Sequence, residues 1–198
     1  MAEDEPSLEQ RVRSQLERGE AAQAAADVVR AYGPQILGYL RAVLRDPGTA
    51  DEAFSQFSED LWKGIERFRG ESSVKTWAYA VAWNGARRLL RDPYRRRGER
   101  LRTSAAIQIA DQVRSLSSAY DARAANDRLA RVRERLAPDE QSLLVLRVDR
   151  DLSWKEIAQV LGIGEPSVRK RFERLSVKLR KLAEKEGLLD AAPSRGSR

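Results

Sequence analysis

The sequence predicts an all-α protein made of two small helical domains joined by a flexible linker. Apolar residues recur at steps of three and four along most of the chain, as at Leu40, Val43 and Leu44, which is the repeat of a helix face. Strand-like alternation is absent from the sequence. Between the two helical parts lies a stretch dominated by Ser, Ala, Thr, Arg and Asp, which is typical of a linker.

Breaks in the apolar pattern divide the 198 residues into segments. Good helix formers follow a capping serine, Ser7, and Gly33-Pro34 then interrupts the pattern. A second break at Pro47-Gly48 predicts that Thr49 or Asp51 caps the next helix. The predicted segments are a helical N-terminal extension (1–31), a first domain (32–94), the linker (95–126), a second domain (127–186) and a tail (187–198).

Two residue types are missing, and their absence excludes several kinds of chemistry. The chain has no cysteine and no histidine. It therefore has no disulfide, no thiolate nucleophile, and neither the usual general base at neutral pH nor the commonest metal ligand. We predict no catalytic centre, no metal and no cofactor.

Charge and hydropathy point to a polyanionic partner. The net charge is +7 and the isoelectric point is near 10, which favours nucleic acid over a membrane surface. The acidic start of the chain lacks the apolar core of a secretory signal, and no apolar run approaches the ~20 residues of a membrane span. We expect a cytoplasmic protein without membrane insertion.

Aromatic and basic residues are interleaved most densely between Leu61 and Arg102. This segment holds three of the four tryptophans, Trp62, Trp77 and Trp83. From Lys63 to Arg102 there are twelve Lys and Arg against four Asp and Glu, so the basic charge of the chain is concentrated here. Such a mixture suits a groove that holds a nucleic-acid backbone while flat rings receive unstacked bases. The alternative is an ordinary helix with core tryptophans and a solvated arginine face.

The most specific motif lies in the second domain. Ser153 and Glu156 form a capping box that starts a short helix, and Gly162 ends it. A second helix follows with Val168 at the position that packs against Ala158 of the first. This spacing predicts a helix-turn-helix. The outward side of the second helix carries polar and charged residues suited to base edges and phosphates in a major groove: Ser167, Arg169, Lys170, Arg171, Glu173 and Arg174.

Together the two halves resemble a bacterial RNA polymerase sigma factor of the extracytoplasmic-function (ECF) type. The resemblance covers roughly residues 32 to 185 and rests on Phe68-Arg69-Gly70, then Thr76-Trp77 and Asn84, combined with the helix-turn-helix. The first half is similar to sigma region two and the second to region four. This implies promoter recognition without a catalytic centre, in partnership with core RNA polymerase through its β′ clamp and β flap, promoter DNA, and an anti-sigma factor.

The resemblance also implies a role for each surface. Region four would bind the minus-thirty-five element as duplex through 167–174, while 95–102 could lie along DNA at the start of the linker. Region two would capture the minus-ten element as single-stranded DNA and flip one of its bases. The implied single-strand site consists of Phe68, Arg69, Ser72, Lys75, Trp77, Tyr79, Trp83, Asn84, Arg87, Arg88 and Arg91.

Polymerase docking is implied for the helix that spans 51–62. Its acidic face is either a solvated surface or a surface that binds the β′ clamp. Many family members carry glutamine where this chain has Ser55, so the chain departs from the usual pattern at this position of the implied docking surface. The implied docking residues are Asp51, Glu52, Ser55, Gln56, Glu59 and Trp62.

Two other functions remain compatible with the residues. One is a stand-alone helix-turn-helix regulator whose first half dimerises or senses a signal, which would bind palindromic DNA without polymerase. The other is a nucleic-acid-processing enzyme that uses adjacent acids such as Asp51 and Glu52. Adjacent acids point to different faces of a helix, so this function has little support.

Overall fold

The computed structural model describes residues 6–91, 108–113 and 132–186, and these residues contain helices and no strand. None of the described helices is long and apolar enough to cross a lipid bilayer. The predicted all-α fold class is confirmed. The helices are α1 (Leu8–Glu17), α2 (Ala21–Leu44), α3 (Pro47–Gly64), a 3₁₀ turn (Ile65–Arg67), α4 (Val74–Arg91), α5 (Pro138–Leu144) with a π turn (Val145–Asp149), α6 (Trp154–Leu161) and α7 (Glu165–Lys185).

The N-terminal region is built on α2, α3 and α4, which pack against one another. Phe54, Phe57 and Leu61 of α3 are fully buried, as their three- and four-residue spacing predicts. Helix α3 begins earlier than expected, because Asp46 and not Thr49 or Asp51 is its N-cap. The Asp46 carboxylate accepts a hydrogen bond from the backbone N–H of Thr49 at 2.7 Å, and Pro47 occupies the first helical turn, where its missing N–H costs nothing.

The boundary between the first two helices lies elsewhere than predicted. Helix α1 ends at Glu17, Gly19 takes a left-handed φ of 75°, and α2 runs uninterrupted through Pro34. The predicted break at Gly33-Pro34 is therefore wrong. Proline removes one helix hydrogen bond, but α2 buries apolar residues on both sides of it, including Val29 and Ile36, and this packing outweighs the loss.

Gly33 is needed for close packing and not for a turn. A Cβ at Gly33 would lie 3.0 Å from Val113 and 3.3 Å from Phe54. Residues 108–113 are helical, and Ile109, Ala110 and Val113 are buried. Part of the segment predicted to be a flexible linker is thus helical and packs against the N-terminal region. The predicted DNA contacts at 95–102 lie outside the described residues.

The C-terminal region contains the predicted helix-turn-helix. Ser153 and Glu156 form the expected capping box at the start of α6. Gly162 has a left-handed φ of 67° in the turn, which glycine adopts without the steric cost of a side chain. Val168 is fully buried and Leu175 is nearly so, which fixes one face of α7 against the rest of the region.

The two regions pack directly against each other through what we call the junction, in which α4 contacts α6 and α2 contacts α5. The hydroxyl groups of Tyr39 and Ser142 are 2.6 Å apart and buried. The Thr76 hydroxyl donates to the Glu156 carboxylate at 3.1 Å. The Lys75 ammonium donates to the backbone carbonyl of Arg150, also at 3.1 Å. The junction brings the helix-turn-helix next to the aromatic and basic helix α4.

Candidate nucleic-acid interface

A cavity of roughly 270 Å³ lies between the loop that follows the 3₁₀ turn and the first turns of α4. The rings of Phe68 and Trp77 meet at its wall, with centroids 5.4 Å apart and planes inclined by 51°. Gly70 takes a left-handed φ of 70°, which lets the loop bend back toward α4. The volume lies just below the range of about 300–1,000 Å³ for small-molecule pockets, which suits one planar ring system. The lining residues are Arg67, Phe68, Arg69, Glu71, Ser72, Thr76, Trp77, Ala80 and Gln159.

Trp77 also forms one wall of a second, wider groove between α3 and α4. Its ring packs over Gly64, where a Cβ would lie 3.6 Å from the indole, so the glycine gives the ring space. The groove has a volume of roughly 550 Å³ and continues along the basic side of α4. It is lined by Asp60, Gly64, Arg67, Trp77, Val81, Asn84, Arg87, Arg88 and Arg91. One partly exposed ring therefore separates an aromatic cavity from an arginine-lined groove.

The other two aromatic residues predicted on α4 are enclosed. Tyr79 is fully buried and Trp83 is 3% exposed. The Tyr79 ring packs edge-on against Tyr39 with centroids 5.4 Å apart. The Tyr79 hydroxyl and the Trp83 indole N–H have no hydrogen-bond partner among the described residues, and burial raises the pKa of Tyr79 to about 12. In this arrangement neither ring is available to a base.

The polar residues predicted for the same site divide into two groups. Arg69, Asn84, Arg88 and Arg91 are exposed, while Ser72, Lys75 and Arg87 are partly buried. Arg88 forms an ion pair with Asp60 across the groove, and Arg87 donates to the Asn84 side chain at 3.4 Å. The four exposed residues face solvent, whereas the Lys75 ammonium is hydrogen-bonded to the Arg150 carbonyl at the junction.

The outward face of α7 is open to solvent. All six residues predicted to bind duplex DNA are exposed. Arg169 pairs with Glu165 at 2.6 Å and lies over the Trp154 ring, while Arg171 also borders a cleft with Trp83 and Arg87 of α4. The helix-turn-helix thus presents its basic side while the junction is closed.

The predicted docking face of α3 is less exposed than its acidic composition indicates. Glu59 is 4% exposed and lies 3.8 Å from the Lys63 ammonium. Asp51 pairs with Arg41 at 3.4 Å, and the Ser55 hydroxyl donates to the Asp51 carbonyl at 3.1 Å. Glu52, Gln56 and Trp62 are half-buried on the same helix.

Comparison with known proteins explains why one chain combines the aromatic cavity and basic groove of α4 with the exposed basic face of α7. Residues 28–97 match the model of sigma-70 region 2, and residues 126–179 match the model of sigma-70 region 4. The chain belongs to the sigma-70 family. It is similar to the RNA polymerase sigma factor YlaC of Bacillus subtilis (strain 168), with 28% identity over 161 residues that cover 78% of this chain and 89% of that protein. The ECF-type resemblance predicted from the sequence is confirmed.

A solved structure has the same fold as this sigma factor. The structure of CnrH in complex with the cytosolic domain of CnrY aligns with a TM-score of 0.61 and 19% identity. The alignment covers 90% of this chain and 99% of that one. A sigma factor acts in transcription initiation with core RNA polymerase and promoter DNA, and the cavity, the groove and the exposed face of α7 lie in the two matched regions.

Several residues of the sigma factor's candidate site were not predicted from the sequence. Thr76 is fully buried at the junction, while Arg67 and Gln159 line the cavity. Arg67 belongs to the same basic run as Arg69 and could have been included on that ground. Gln159 lies on α6, about 90 residues further along, and donates to the backbone carbonyl of Glu71 at 3.4 Å. Only the packing of the two regions brings it to the cavity.

Electrostatics at the junction centre on Glu156. Burial acts to raise the pKa of this carboxyl, but hydrogen bonds from Ser153 and Thr76 and the nearby Lys75 ammonium outweigh it, so the pKa lies below its ordinary value. Glu156 therefore stays ionised at neutral pH and serves both as a helix cap and as a contact between regions. Among the described residues no group of three or more acids is arranged to hold a metal ion.

Proposed function

We propose that this sigma factor directs polymerase to promoters by binding the minus-ten element as single-stranded DNA and the minus-thirty-five element as duplex. The observation that carries the proposal is the Trp77 ring, which stands between an aromatic cavity and an arginine-lined groove in the part of the chain matched by region 2. Phosphates would follow the groove while one unstacked base enters the cavity.

In strand capture the cavity would bind a base and the groove would bind the phosphate backbone. Phe68 and Trp77 offer a ring surface, and base stacking on such rings is worth about 1–3 kcal/mol per base. Arg87, Arg88 and Arg91 supply positive charge along the groove, which favours a phosphate backbone without regard to sequence. Holding an already unpaired strand in this way stabilises the open promoter, so DNA melting is driven by selection of the single strand.

Duplex recognition is proposed for α7. The exposed residues from Ser167 to Arg174 lie on the second helix of a helix-turn-helix, the helix that enters the major groove in this motif. Arginine and lysine there neutralise phosphates and read guanine, while Ser167 and Glu173 suit other base edges. Arg169 is held by Glu165 and Trp154, which fixes its direction before DNA binds.

Both sites cannot work on one promoter while the junction is closed. The element names place their centres about 25 base pairs apart, or about 85 Å of duplex at 3.4 Å per base pair. A compact chain of this length has a diameter of only about 40–45 Å. We propose that α4 and α6 separate on promoter binding. Because 108–113 pack on the N-terminal region, the reach comes from residues 114–131, up to about 59 Å at about 3.3 Å per residue, together with the widths of the two regions themselves.

Unpaired polar atoms near the junction support such an opening. Tyr79, Trp83 and Gln141 each bury a polar atom that has no partner among the described residues. A buried unpaired donor or acceptor costs about 1–3 kcal/mol, and water satisfies it once the regions part. The closed arrangement is therefore less stable than its contact area alone implies.

Polymerase and a regulator are the proposed protein partners. We propose that the outer face of α3, with Asp51, Glu52, Gln56 and Trp62, docks on the β′ clamp, and that the C-terminal region contacts the β flap. The similar protein CnrH was solved in complex with the cytosolic domain of a second protein. By analogy, we propose that an anti-sigma factor binds this chain and holds it away from DNA, and that the protein works in the cytoplasm, where promoters are.

Run-off transcription with purified core polymerase and a library of promoter fragments tests the proposal. We expect specific transcripts only when this protein is added, and the fragments that respond define the promoter. If core polymerase neither binds the protein nor gains specificity, the proposal is wrong. A palindromic footprint without polymerase would instead favour the stand-alone regulator.

A further inference from the structure

Helix α1 reaches the loop that forms the candidate single-strand site. The Glu9 carboxylate accepts a hydrogen bond from the backbone N–H of Val74, the first residue of α4, at 2.7 Å. The family model begins its match at residue 28, so α1 lies outside the part it matches. We infer that Glu9 is a positioning residue of the single-strand site, acting through the loop at 69–73. This inference rests on the function proposed above.

The start of α4 has two separate caps. The Ser73 hydroxyl accepts from the backbone N–H of Thr76 at 3.0 Å, which is the ordinary local cap of a helix. The Val74 N–H belongs to the first turn and has no acceptor within the helix. Glu9 supplies that acceptor from 65 positions away. A negative charge at this end of a helix is also favoured by the helix dipole.

The helix that carries Glu9 is itself fixed in place. Val12 is fully buried and Gln15 is 7% exposed where α1 packs on α2. The Gln15 side chain donates to the Asp27 carboxylate of α2 at 2.9 Å. Asp27 therefore fixes α1, and Glu9, nearer the start of α1, fixes the loop. This gives the N-terminal helix a task that composition alone did not reveal.

Loop position determines the shape of the cavity. Phe68, Arg69, Glu71 and Ser72 line the cavity between the 3₁₀ turn and α4, so the loop is one of its walls. At the far end of the loop, Gly70 lies near Arg13 of the same helix as Glu9, since a Cβ there would be 3.7 Å from the guanidinium. Glu9 does not line the cavity, and its effect passes through the loop backbone.

The test compares the affinity for an intact oligonucleotide with the affinity for the same oligonucleotide lacking one base. Holoenzyme is assembled from core polymerase and wild-type or variant protein. The probe is a fluorescent single-stranded oligonucleotide carrying the non-template minus-ten sequence of a promoter found by run-off transcription. Matched oligonucleotides carry an abasic unit at one position in turn. At the captured position, the ratio of the two affinities measures how strongly the cavity binds the base. Phosphate binding contributes equally to both probes and cancels in the ratio.

Glu9→Ala is expected to reduce this ratio by about tenfold and to change binding of the abasic probe by less than about twofold. Glu9→Gln keeps an acceptor oxygen for Val74 and is expected to restore most of the ratio. Glu17→Ala, at the exposed end of the same helix, is the matched control and is expected to behave as wild type. Thermal melting of each variant sets the assay temperature well below unfolding, so loss of fold is not mistaken for loss of positioning.

Two results with the variants overturn the inference alone. It is wrong if Glu9→Ala keeps the wild-type ratio, including the case in which it weakens both probes equally. It is also wrong if Glu9→Gln loses the ratio as fully as alanine does. If wild-type holoenzyme shows no abasic effect at any position, the single-strand site itself is refuted and this inference falls with it, which separates the two failures.

Discussion

The two proposed DNA surfaces differ in how the fold presents them. On α7 the basic residues of the proposed duplex-binding face, from Arg169 to Arg174, all face solvent, and the buried side is occupied by apolar residues such as Val168 and Leu175. On α4 one side borders the cavity and the groove through Trp77, whereas Tyr79 and Trp83 are buried near the C-terminal region. Duplex binding by α7 therefore needs no rearrangement of its surface, whereas strand capture by α4 depends on how the two regions are arranged.

The largest expected effect comes from locking the junction. Glu71 and Gln159 are exposed and joined across it, and the chain has no cysteine of its own, so a Glu71→Cys and Gln159→Cys pair can be bridged by a cleavable thiol cross-linker. We expect the cross-linked protein to lose nearly all promoter opening yet keep binding to minus-thirty-five duplex. Cleavage of the cross-linker should restore opening, as followed by run-off transcription.

Each single cysteine variant, reacted with a monofunctional reagent, controls for damage to the cavity. If the cross-linked protein opens promoters at the wild-type rate, the closed arrangement is compatible with strand capture. The proposed separation of α4 from α6 would then be wrong.

The second-largest effect distinguishes the roles of the two tryptophans of α4, Trp77 in strand binding and Trp83 in stability. Trp77→Ala should weaken capture of the minus-ten strand by about 1–3 kcal/mol, the worth of one stacked base, with Trp77→Phe recovering part of it. Trp83→Ala should instead lower the free energy of unfolding by about 3–5 kcal/mol, because it empties a buried site. Oligonucleotide binding by holoenzyme and thermal melting of the free protein measure the two losses.

Minus-thirty-five duplex binding serves as the control for both variants, because neither ring lies on the outward face of α7. Equal losses of strand binding from the two substitutions would show that Trp83 also meets DNA once the regions separate. That result would extend the site beyond the cavity and the groove.

The sequence predicted which side chains are exposed better on α7 than on α4, for a physical reason. On α7, burial follows the helical period of Val168, Phe172 and Leu175, so the exposed side can be read from spacing alone. On α4 the exposed side depends on a second region far along the chain, and no local pattern shows that Tyr79 and Trp83 are covered. The break at Gly33-Pro34 fails similarly, because tertiary packing of α2 outweighs the local preference of proline.

A smaller effect is expected for single cations on α7. Lys170→Gln and Arg174→Gln should each weaken duplex binding at all sequences if the side chain meets a phosphate. The slope of log affinity against log salt would then fall by about one for each phosphate that is no longer neutralised. A loss confined to one base pair with the slope unchanged would show that the side chain reads a base. Lys178→Gln, whose ammonium pairs with Glu140 on the packed side of α7, is the matched control.

The smallest effect concerns pH and the junction. Hydrogen bonds from Ser153 and Thr76 hold the pKa of Glu156 below its ordinary value of 4.5, although burial alone would raise it. Because the folded state prefers the ionised carboxylate, this stabilisation is present above the unfolded pKa and is lost as the pH falls through the lower folded pKa. Glu156→Gln should reduce stability by less than about 1 kcal/mol at neutral pH, since glutamine still serves a capping box.

The measurement is thermal melting of wild type and Glu156→Gln across a pH series. The difference between them should shrink in acid, below pH 4.5, where the wild-type carboxylate becomes protonated. Because Glu156 also accepts from Thr76 of α4, the variant should loosen the junction and make Glu71→Cys and Gln159→Cys cross-link more slowly. Slower cross-linking with unchanged binding to minus-thirty-five duplex would show that the arrangement of α4 depends on the junction, whereas duplex binding by α7 does not.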